Sequence, residues 1–379
     1  MTAPITRRHW LASCGLVAAG ALAAPAELGS LSLGETPVRR AGPLRRAGPL
    51  RLFFNENPHG PPAAAIRAAT AALAHGNRYA DQEDFDELAG LIAGREGVSP
   101  DHVVIGSGSA ELLGATAAAY IRGSGEVLTA EPTFQHFLIC AERLGARIRR
   151  VPLDAGWSHD LDRMAEAVSG ETRLVHVCNP NNPTGTIVPA DRLRAFCAQI
   201  APRAPVVVDE AYHELAEAPE HASMVSLVRS GVPVIVMRTF SKVYALAGFR
   251  VGYAIARPDL AERLRALQTT DASVAAVRAA IAAWQDAAFV TRSRRLIREA
   301  RELTTRGFDE LGLRYVPSHA NFLYFEVGGA RRDLPARLLA RGVRIAWNPK
   351  PLEGDWARVS VGTAEEMRGF LRALRRELA

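Results

Sequence analysis

Lysine is scarce in this chain, and one of its two lysines stands where an amine can do chemistry. Lys242 and Lys350 are the only lysines among 46 basic residues. Arginine keeps its proton near neutral pH, whereas a lysine amine can lose it and add to a carbonyl as an imine. Lys242 follows Ser241, just past the apolar run Val234-Ile235-Val236-Met237. Partial burial beside another cation would lower its pKa and make it a nucleophile or proton carrier, and Arg250 lies eight residues on. The alternative is a solvated loop lysine.

Three other strings carry polar groups in suggestive places. Asp209 closes the run Val206-Val207-Val208, where a buried acid needs a partner, a cationic ligand atom or a helix to cap. Tyr212, three residues on, can bring a phenol to the same ligand. Asn179-Pro180-Asn181-Asn182-Pro183-Thr184-Gly185 is a stiff turn whose amides can bond a ring hydroxyl, or it is simply a turn. Gly106-Ser107-Gly108-Ser109-Ala110-Glu111 joins a strand to a helix, so its backbone can approach a phosphate at a helix N-terminus. It matches neither G-x-x-x-x-G-K-[ST] nor the dinucleotide G-x-G-x-x-G, which argues against ATP and NAD.

The elements that must hold these groups alternate along the body. Val103–Ile105, Glu126–Thr129, Arg173–Cys178, Val206–Val208, Val234–Met237 and Val251–Ile255 are short apolar runs between Ala/Leu/Arg-rich helical stretches. Such runs read as strands of a mainly parallel sheet covered by helices, an α/β fold. Each string above falls at the carboxyl end of a strand, where ligands bind in such sheets. Residues 258–310 are dominated by helix formers. Strands are then expected at Phe322–Val327, Val343–Ala346 and Arg358–Val361, with helices over 330–341 and 364–378, making a smaller α+β domain.

With 379 residues, 48% hydrophobic and 23% charged, the chain can bury a full core. Four cysteines exclude a disulfide scaffold, and Cys140, Cys178 and Cys197 read as small core residues. His59, His136 and His176 show no metal-ligand spacing, so no metal is expected. The net charge of +6 is concentrated at the start: residues 1–51 hold seven arginines against Glu27 and Glu35. The nearly neutral remainder gives no surface for nucleic acid.

Arg7-Arg8 precedes an apolar stretch through Ala24, too short for a stable membrane span, with Ala24-Pro25-Ala26 as a cleavage site. This is similar to a twin-arginine export signal over residues 1–26, which implies a periplasmic or exported protein, or a cytoplasmic one if the signal is unused. Residues 27–51, with Arg-Arg-Ala-Gly-Pro-Leu twice in tandem, read as a low-complexity linker.

Taken together, Asn179 to Gly185, Asp209-Glu210-Ala211-Tyr212, and Arg238 to Lys242 continuing through Leu246-Ala247-Gly248-Phe249-Arg250 resemble the pyridoxal-phosphate aminotransferases of fold type I, class I/II. Phe54-Asn55-Glu56-Asn57-Pro58-His59-Gly60, Ala320-Asn321-Phe322 and Arg358-Val359-Ser360-Val361-Gly362 are most similar to the histidinol-phosphate aminotransferases. The likeness runs from about residue 52 to the end. It implies a large domain over 76–270 with a mainly parallel seven-stranded sheet. A segment over 52–75 would pack with a small domain over 271–379.

The resemblance also implies roles. Lys242 would hold the cofactor as an internal aldimine and then shuttle a proton; Asp209 would pair with the pyridinium nitrogen; Asn182 and Tyr212 would bond the phenolic oxygen. Phe134 would stack on the ring, without the hydroxyl many relatives carry there. Ser109, Ala110, Thr239, Ser241 and Arg250 would bind the phosphate, and Tyr79 would reach it from a second subunit of a homodimer. Ala110 stands where an aspartate is common. Arg358 would grip the substrate's carboxylate, with Asn182, Asn321 and His59 also facing substrate; His59 stands where a tyrosine is common. Ala346 occupies the slot where histidinol-phosphate enzymes place an arginine, and Arg344 shares its strand parity and is the candidate substitute. The implied reaction moves an amino group from an L-amino acid or related amine, such as histidinol phosphate, to a 2-oxo acid. A lyase or decarboxylase on the same scaffold is the alternative.

Overall fold

The computed structural model describes residues 48–121, 123–216, 223–328, 333–347 and 356–378. The export signal, residues 1–26, and the linker up to residue 47 lie outside the described residues. Twelve strands are found among the described residues: β1 (Leu50–Leu52), β2 (Val103–Gly106), β3 (Glu126–Glu131), β4 (Arg147–Pro152), β5 (Thr172–Cys178), β6 (Val206–Asp209), β7 (Val234–Thr239), β8 (Gly252–Ile255), β9 (Tyr315–Val316), β10 (Phe322–Glu326), β11 (Val343–Trp347) and β12 (Trp356–Ser360). The helices that matter for the site are α1 (Ala63–Ala72), α2 (Gln82–Glu96), α3 (Ser109–Tyr120), α4 (Gln135–Arg143), α5 (Val274–Gln285), α6 (Ala287–Glu310) and α7 (Ala364–Leu378).

Seven strands form one sheet in the order β2-β8-β7-β6-β5-β3-β4. From β7 to β4 every pairing is parallel, while β8 runs antiparallel to both β7 and β2. The central strands are rows of β-branched residues because helices cover both faces: Val206, Val207, Val208, Val234, Ile235 and Val236 are each 0% exposed. Parallel strands present their carboxyl ends on one side, so the segments after β5, β6 and β7 meet there.

β4 was not legible in the sequence. Its Arg147-Ile148-Arg149-Arg150 stretch lacks the apolar run of its neighbours because it is the sheet's edge. There the arginines pair with acids, Arg150 with Glu131 at 3.3 Å and with Glu142 at 3.0 Å. Charges on an edge strand also discourage pairing with other chains.

The second sheet, β1-β11-β12-β10-β9, recruits the start of the body. β1 lies parallel to β11, with Leu50 opposite Val343 and Arg51 opposite Arg344. The strand therefore begins inside the stretch expected to be linker through residue 51. Two alternating leucines are too short a pattern to announce it. β12 starts two residues before the expected Arg358. Helix α5 packs mainly on α1 and α2, not on this sheet. Helix α6 instead meets α7, where a Cβ on Gly307 would fall 2.5 Å from Leu371 Cδ1.

Candidate active site

The carboxyl ends of β5, β6 and β7 and the N-terminus of α3 surround a cavity of about 520 Å³. Asp209 is the last residue of β6 and is 2% exposed. Its carboxylate accepts from the Ala211 N–H at 3.1 Å. Burial raises its pKa to about 6, against the lowering effects of that bond and of Lys242. No ion pair joins Asp209 to a cation among the described residues, so the site favours a ligand that brings a positive charge to it.

Lys242 sits three residues beyond β7 and is half-buried. Its Nζ donates to the carbonyls of Phe54 at 3.3 Å and Asn55 at 3.2 Å, and lies 5.4 Å from the centre of the Tyr212 ring. Burial first, then the nearby Arg358 guanidinium, lower its pKa to about 8, with Asp209 opposing. The adjacent β6 and β7 thereby bring acid and amine to one cavity, and each reduces the other's displacement.

Tyr212 is 4% exposed and packs edge-on against Phe322, ring centres 5.1 Å apart. Its oxygen is 3.0 Å from Asn55 Nδ2 and 3.4 Å from Asn182 Nδ2. Burial holds the phenol pKa above its ordinary value. Asn182 in turn accepts from Arg358 Nη1 at 2.5 Å, while Arg358 Nη2 donates to the Phe53 carbonyl at 2.8 Å. The third guanidinium nitrogen, Nε, is buried without a partner.

The opposite end is built for an oxyanion. Helix α3 begins at Ser109 with no side chain capping its first N–H groups, so they are free to meet an anion. Thr239 Oγ1 donates to Ser241 Oγ at 2.9 Å, and Arg250 Nη1 reaches Ser241 Oγ at 3.4 Å and the Ala247 carbonyl at 2.8 Å. Two glycines make this approach possible. A Cβ at Gly108, whose φ is +86°, would fall 2.4 Å from Arg250 Nη2, and one at Gly252 would fall 2.4 Å from the Ser109 nitrogen. The cradle, the buried acid and the depressed amine together fit a ligand with a phosphate, a protonated ring nitrogen and a carbonyl, which is pyridoxal phosphate.

Ser109, Ala110, Phe134, Asn182, Asp209, Tyr212, Thr239, Ser241, Lys242 and Arg250 all line the cavity. Arg358 joins it through Asn182. Asn321 does not reach the cavity; its amide donates to the carbonyls of Asn55 at 2.9 Å and Glu56 at 3.3 Å, supporting that segment from behind. His59 is also off the lining. Its Nε2 is buried without a partner, and burial lowers its pKa while Glu366 and Arg292 act in opposite directions. Arg344 is exposed and off the lining, with its guanidinium carbon 4.2 Å from the Phe53 ring centre. Tyr79 is 94% exposed and borders a separate pocket of about 730 Å³ with His75, Arg78 and Arg278.

The lining also includes Phe54, Glu56, Cys178, Ala211, Ala247 and Gly248. Cys178 was expected to be plain core; it is 1% exposed, yet it faces the cavity from the end of β5. Asn55 carried no expected role, although it stood inside a quoted motif. The usable signal was an asparagine in a polar loop, a residue type tolerant of left-handed backbone, and its φ is 55°.

The family model for aminotransferase class I and II matches residues 48–374. The histidinol-phosphate aminotransferase of Moorella thermoacetica is 38% identical over 331 residues, 87% of this chain and 85% of the relative. Histidinol-phosphate aminotransferase 2 of Ralstonia nicotianae is 40% identical over 337 residues, 87% of this chain and 88% of the relative. The crystal structure of histidinol-phosphate aminotransferase from Sinorhizobium meliloti in complex with pyridoxal-5'-phosphate superposes with a TM-score of 0.81 at 29% identity, covering 87% of this chain and 91% of that one.

The two displaced pKa values set a pH dependence in the cofactor-free protein. Lys242 falls from 10.5 to about 8 on folding, so across that window the unfolded chain binds the proton the folded one has lost. Its destabilising effect is fully present below about pH 8 and is relieved as pH rises toward 10.5. Asp209 rises from 3.8 to about 6, so its stabilising contribution is present below 3.8 and is lost as pH rises through about 6. Acylation of Lys242 by an amine-reactive reagent, followed by peptide mass spectrometry, will therefore show a midpoint near pH 8. Asp209→Asn will lower that midpoint further. A midpoint near 10.5 would contradict the burial argument.

Proposed function

The chain belongs to the class I and II aminotransferase family, and we propose that its amino donor carries an anionic arm beside the reacting carbon, with histidinol phosphate the first candidate. It is a pyridoxal-phosphate-dependent aminotransferase. The cofactor supplies an aldehyde that condenses with amines and a ring that accepts the electrons of a deprotonated carbon. The observation that carries the donor reading is Arg358, held between Asn182 and the Phe53 carbonyl with Nε still unpartnered. A guanidinium placed this way suits a carboxylate or a phosphate monoester. One grip can then serve a phosphorylated amine in one half-reaction and a 2-oxo acid such as 2-oxoglutarate in the other.

The chain's own groups divide the work. Arg250 and the first N–H groups of α3 hold the phosphate end. Asp209 would hold a proton on the ring nitrogen, and that cation would draw the carboxyl back toward its ordinary pKa. Phe134, just before α4, lines the cavity and would stack on the cofactor ring. With the cofactor bound, the Lys242 amine, once free, would be placed to take the proton from the donor carbon and return it to the cofactor's former aldehyde carbon, two bonds away. Its pKa of about 8 leaves a useful neutral fraction near neutral pH.

Ala346 faces Arg358 across β11 and β12, so the arginine usual in histidinol-phosphate enzymes is missing beside the grip. Arg344 shares that strand face two residues away, and its guanidinium is steadied by the Phe53 ring. We assign it the outer phosphate contact. The exposed Tyr79 supports a homodimer in which this phenol reaches the partner's cofactor phosphate. Export over the twin-arginine route is supported by Arg7-Arg8 and the apolar run after them.

Four measurements test these readings. Single-turnover spectra with histidinol phosphate and with L-amino acids identify the donor. Arg344→Ala will raise KM for histidinol phosphate about tenfold, roughly 1.4 kcal/mol, and leave the glutamate half-reaction unchanged. Equal activity on histidinol phosphate would remove Arg344 from the site. Mixing the inactive Lys242→Ala and Tyr79→Ala variants will restore activity, since each mixed dimer regains one intact cavity; no recovery after subunit exchange argues against a shared site. Replacing Arg7 and Arg8 by lysine will abolish recovery from the periplasm, and unchanged recovery would exclude the twin-arginine route.

A further inference from the structure

Asn55 links the two sheets at the point where the chemistry occurs. It follows β1 of the five-stranded sheet, while Tyr212 and Lys242 belong to the seven-stranded one. We propose that Asn55 is a positioning residue that fixes Tyr212 as a hydrogen-bond donor into the cavity.

The argument starts from which end of each amide faces the phenol. The Asn55 N–H donates to Ser360 Oγ at 2.8 Å, and the Ser360 hydroxyl spends its single hydrogen on Asn55 Oδ1 at 3.0 Å. Oδ1 is thereby the accepting end, and the NH₂ group is the end 3.0 Å from the Tyr212 oxygen. Asn182 is oriented in the same way. A guanidinium can only donate, so the atom 2.5 Å from Arg358 Nη1 is an oxygen, and the Asn182 NH₂ faces Tyr212 at 3.4 Å. Two donors therefore occupy the two lone pairs of the phenol oxygen. Burial keeps that phenol protonated. Its one hydrogen is left to point away from both amides, into the cavity lined by Asp209 and Lys242.

The backbone of Asn55 makes this pose available. Its φ of 55° is left-handed, a conformation asparagine accepts far more readily than branched residues. The same twist turns its carbonyl to accept from Lys242 Nζ at 3.2 Å and from Asn321 Nδ2 at 2.9 Å. One residue thus sets the polarity of the Tyr212 hydroxyl and holds the Lys242 amine when it is free. Tyr212 becomes a donor only when the five-stranded sheet has brought Asn55 into place.

The inference rests on the reading that this cavity holds pyridoxal phosphate, whose phenolic oxygen would receive the Tyr212 hydrogen. A donor there stabilises the oxygen's anion, so the pH midpoint of the bound cofactor's visible absorption is held low. Asn55→Gly keeps the left-handed backbone and removes the amide. Asn55→Asp keeps the shape and replaces the donor with an acceptor that captures the Tyr212 hydrogen. Each is measured alone and with Tyr212→Phe, by cofactor equilibrium dialysis, by absorption against pH, and by melting of the cofactor-free protein as a folding control.

Asn55→Gly is expected to weaken cofactor binding about tenfold and raise the midpoint, with Asn55→Asp stronger in both. In the Tyr212→Phe background, Asn55→Gly is expected to change neither quantity. If Asn55→Asp melts below the working temperature, Asn55→Gly decides alone. Parent-like binding and midpoint in Asn55→Gly would overturn the proposal, as would an equal shift with and without Tyr212. A parent that binds no cofactor overturns the reading of the cavity itself, and the role of Asn55 with it.

Discussion

A carboxyl and an amine are held at the ends of neighbouring parallel strands, in a place too dry for either to keep its ordinary proton affinity. Asp209 is pushed up to about 6 and Lys242 down to about 8, and each limits the displacement of the other. That balance gives the site an amine with a neutral fraction and an acid that welcomes a cation. It depends on β6 and β7 being parallel and adjacent, so that both chains leave the sheet on the same side. The valine-rich strands, which tolerate burial on both faces, make that arrangement affordable.

The second sheet completes what the first begins. Its β12 contributes Arg358, which reaches across to Asn182. The segment after β1 contributes the Phe54 and Asn55 carbonyls that receive Lys242. Asn321, at the start of β10, supports the same segment from behind. The Arg358 guanidinium and the Lys242 amine therefore share one structural dependence: the pairing of β1 with β11, which fixes where residues 53–57 run.

Strand parity decides which side chains of β11 share a face with Arg358. Ala346 and Arg344 lie on the same face of β11, and only Ala346 pairs with Arg358. Moving a cation from the first position to the second shifts it along the strand by about 7 Å. The Arg344 guanidinium rests on the Phe53 ring.

Much of the cofactor site was legible because its parts are short strings in which type and spacing carry the chemistry. The lone lysine after an apolar strand, the acid closing another, and the glycine loop before α3 each had a local physical reason. The sequence by itself determined the parallel α/β body and the strings that its strand ends bring to one cavity. Only the tertiary structure decided the rest. Charged edge strands such as β4 lack the apolar pattern that announces a strand, and β1 is too short to show one. His59 and Asn321 sit in recognisable motifs, yet packing turns them away from the cavity, because motif position fixes the backbone neighbourhood and not the side chain's direction. Asn55 shows the same limit from the other side: its role depends on Ser360, far along the chain, choosing which end of its amide meets Tyr212. Local patterns encode elements and reactive types, whereas hydrogen-bond polarity is set by partners that only folding brings together.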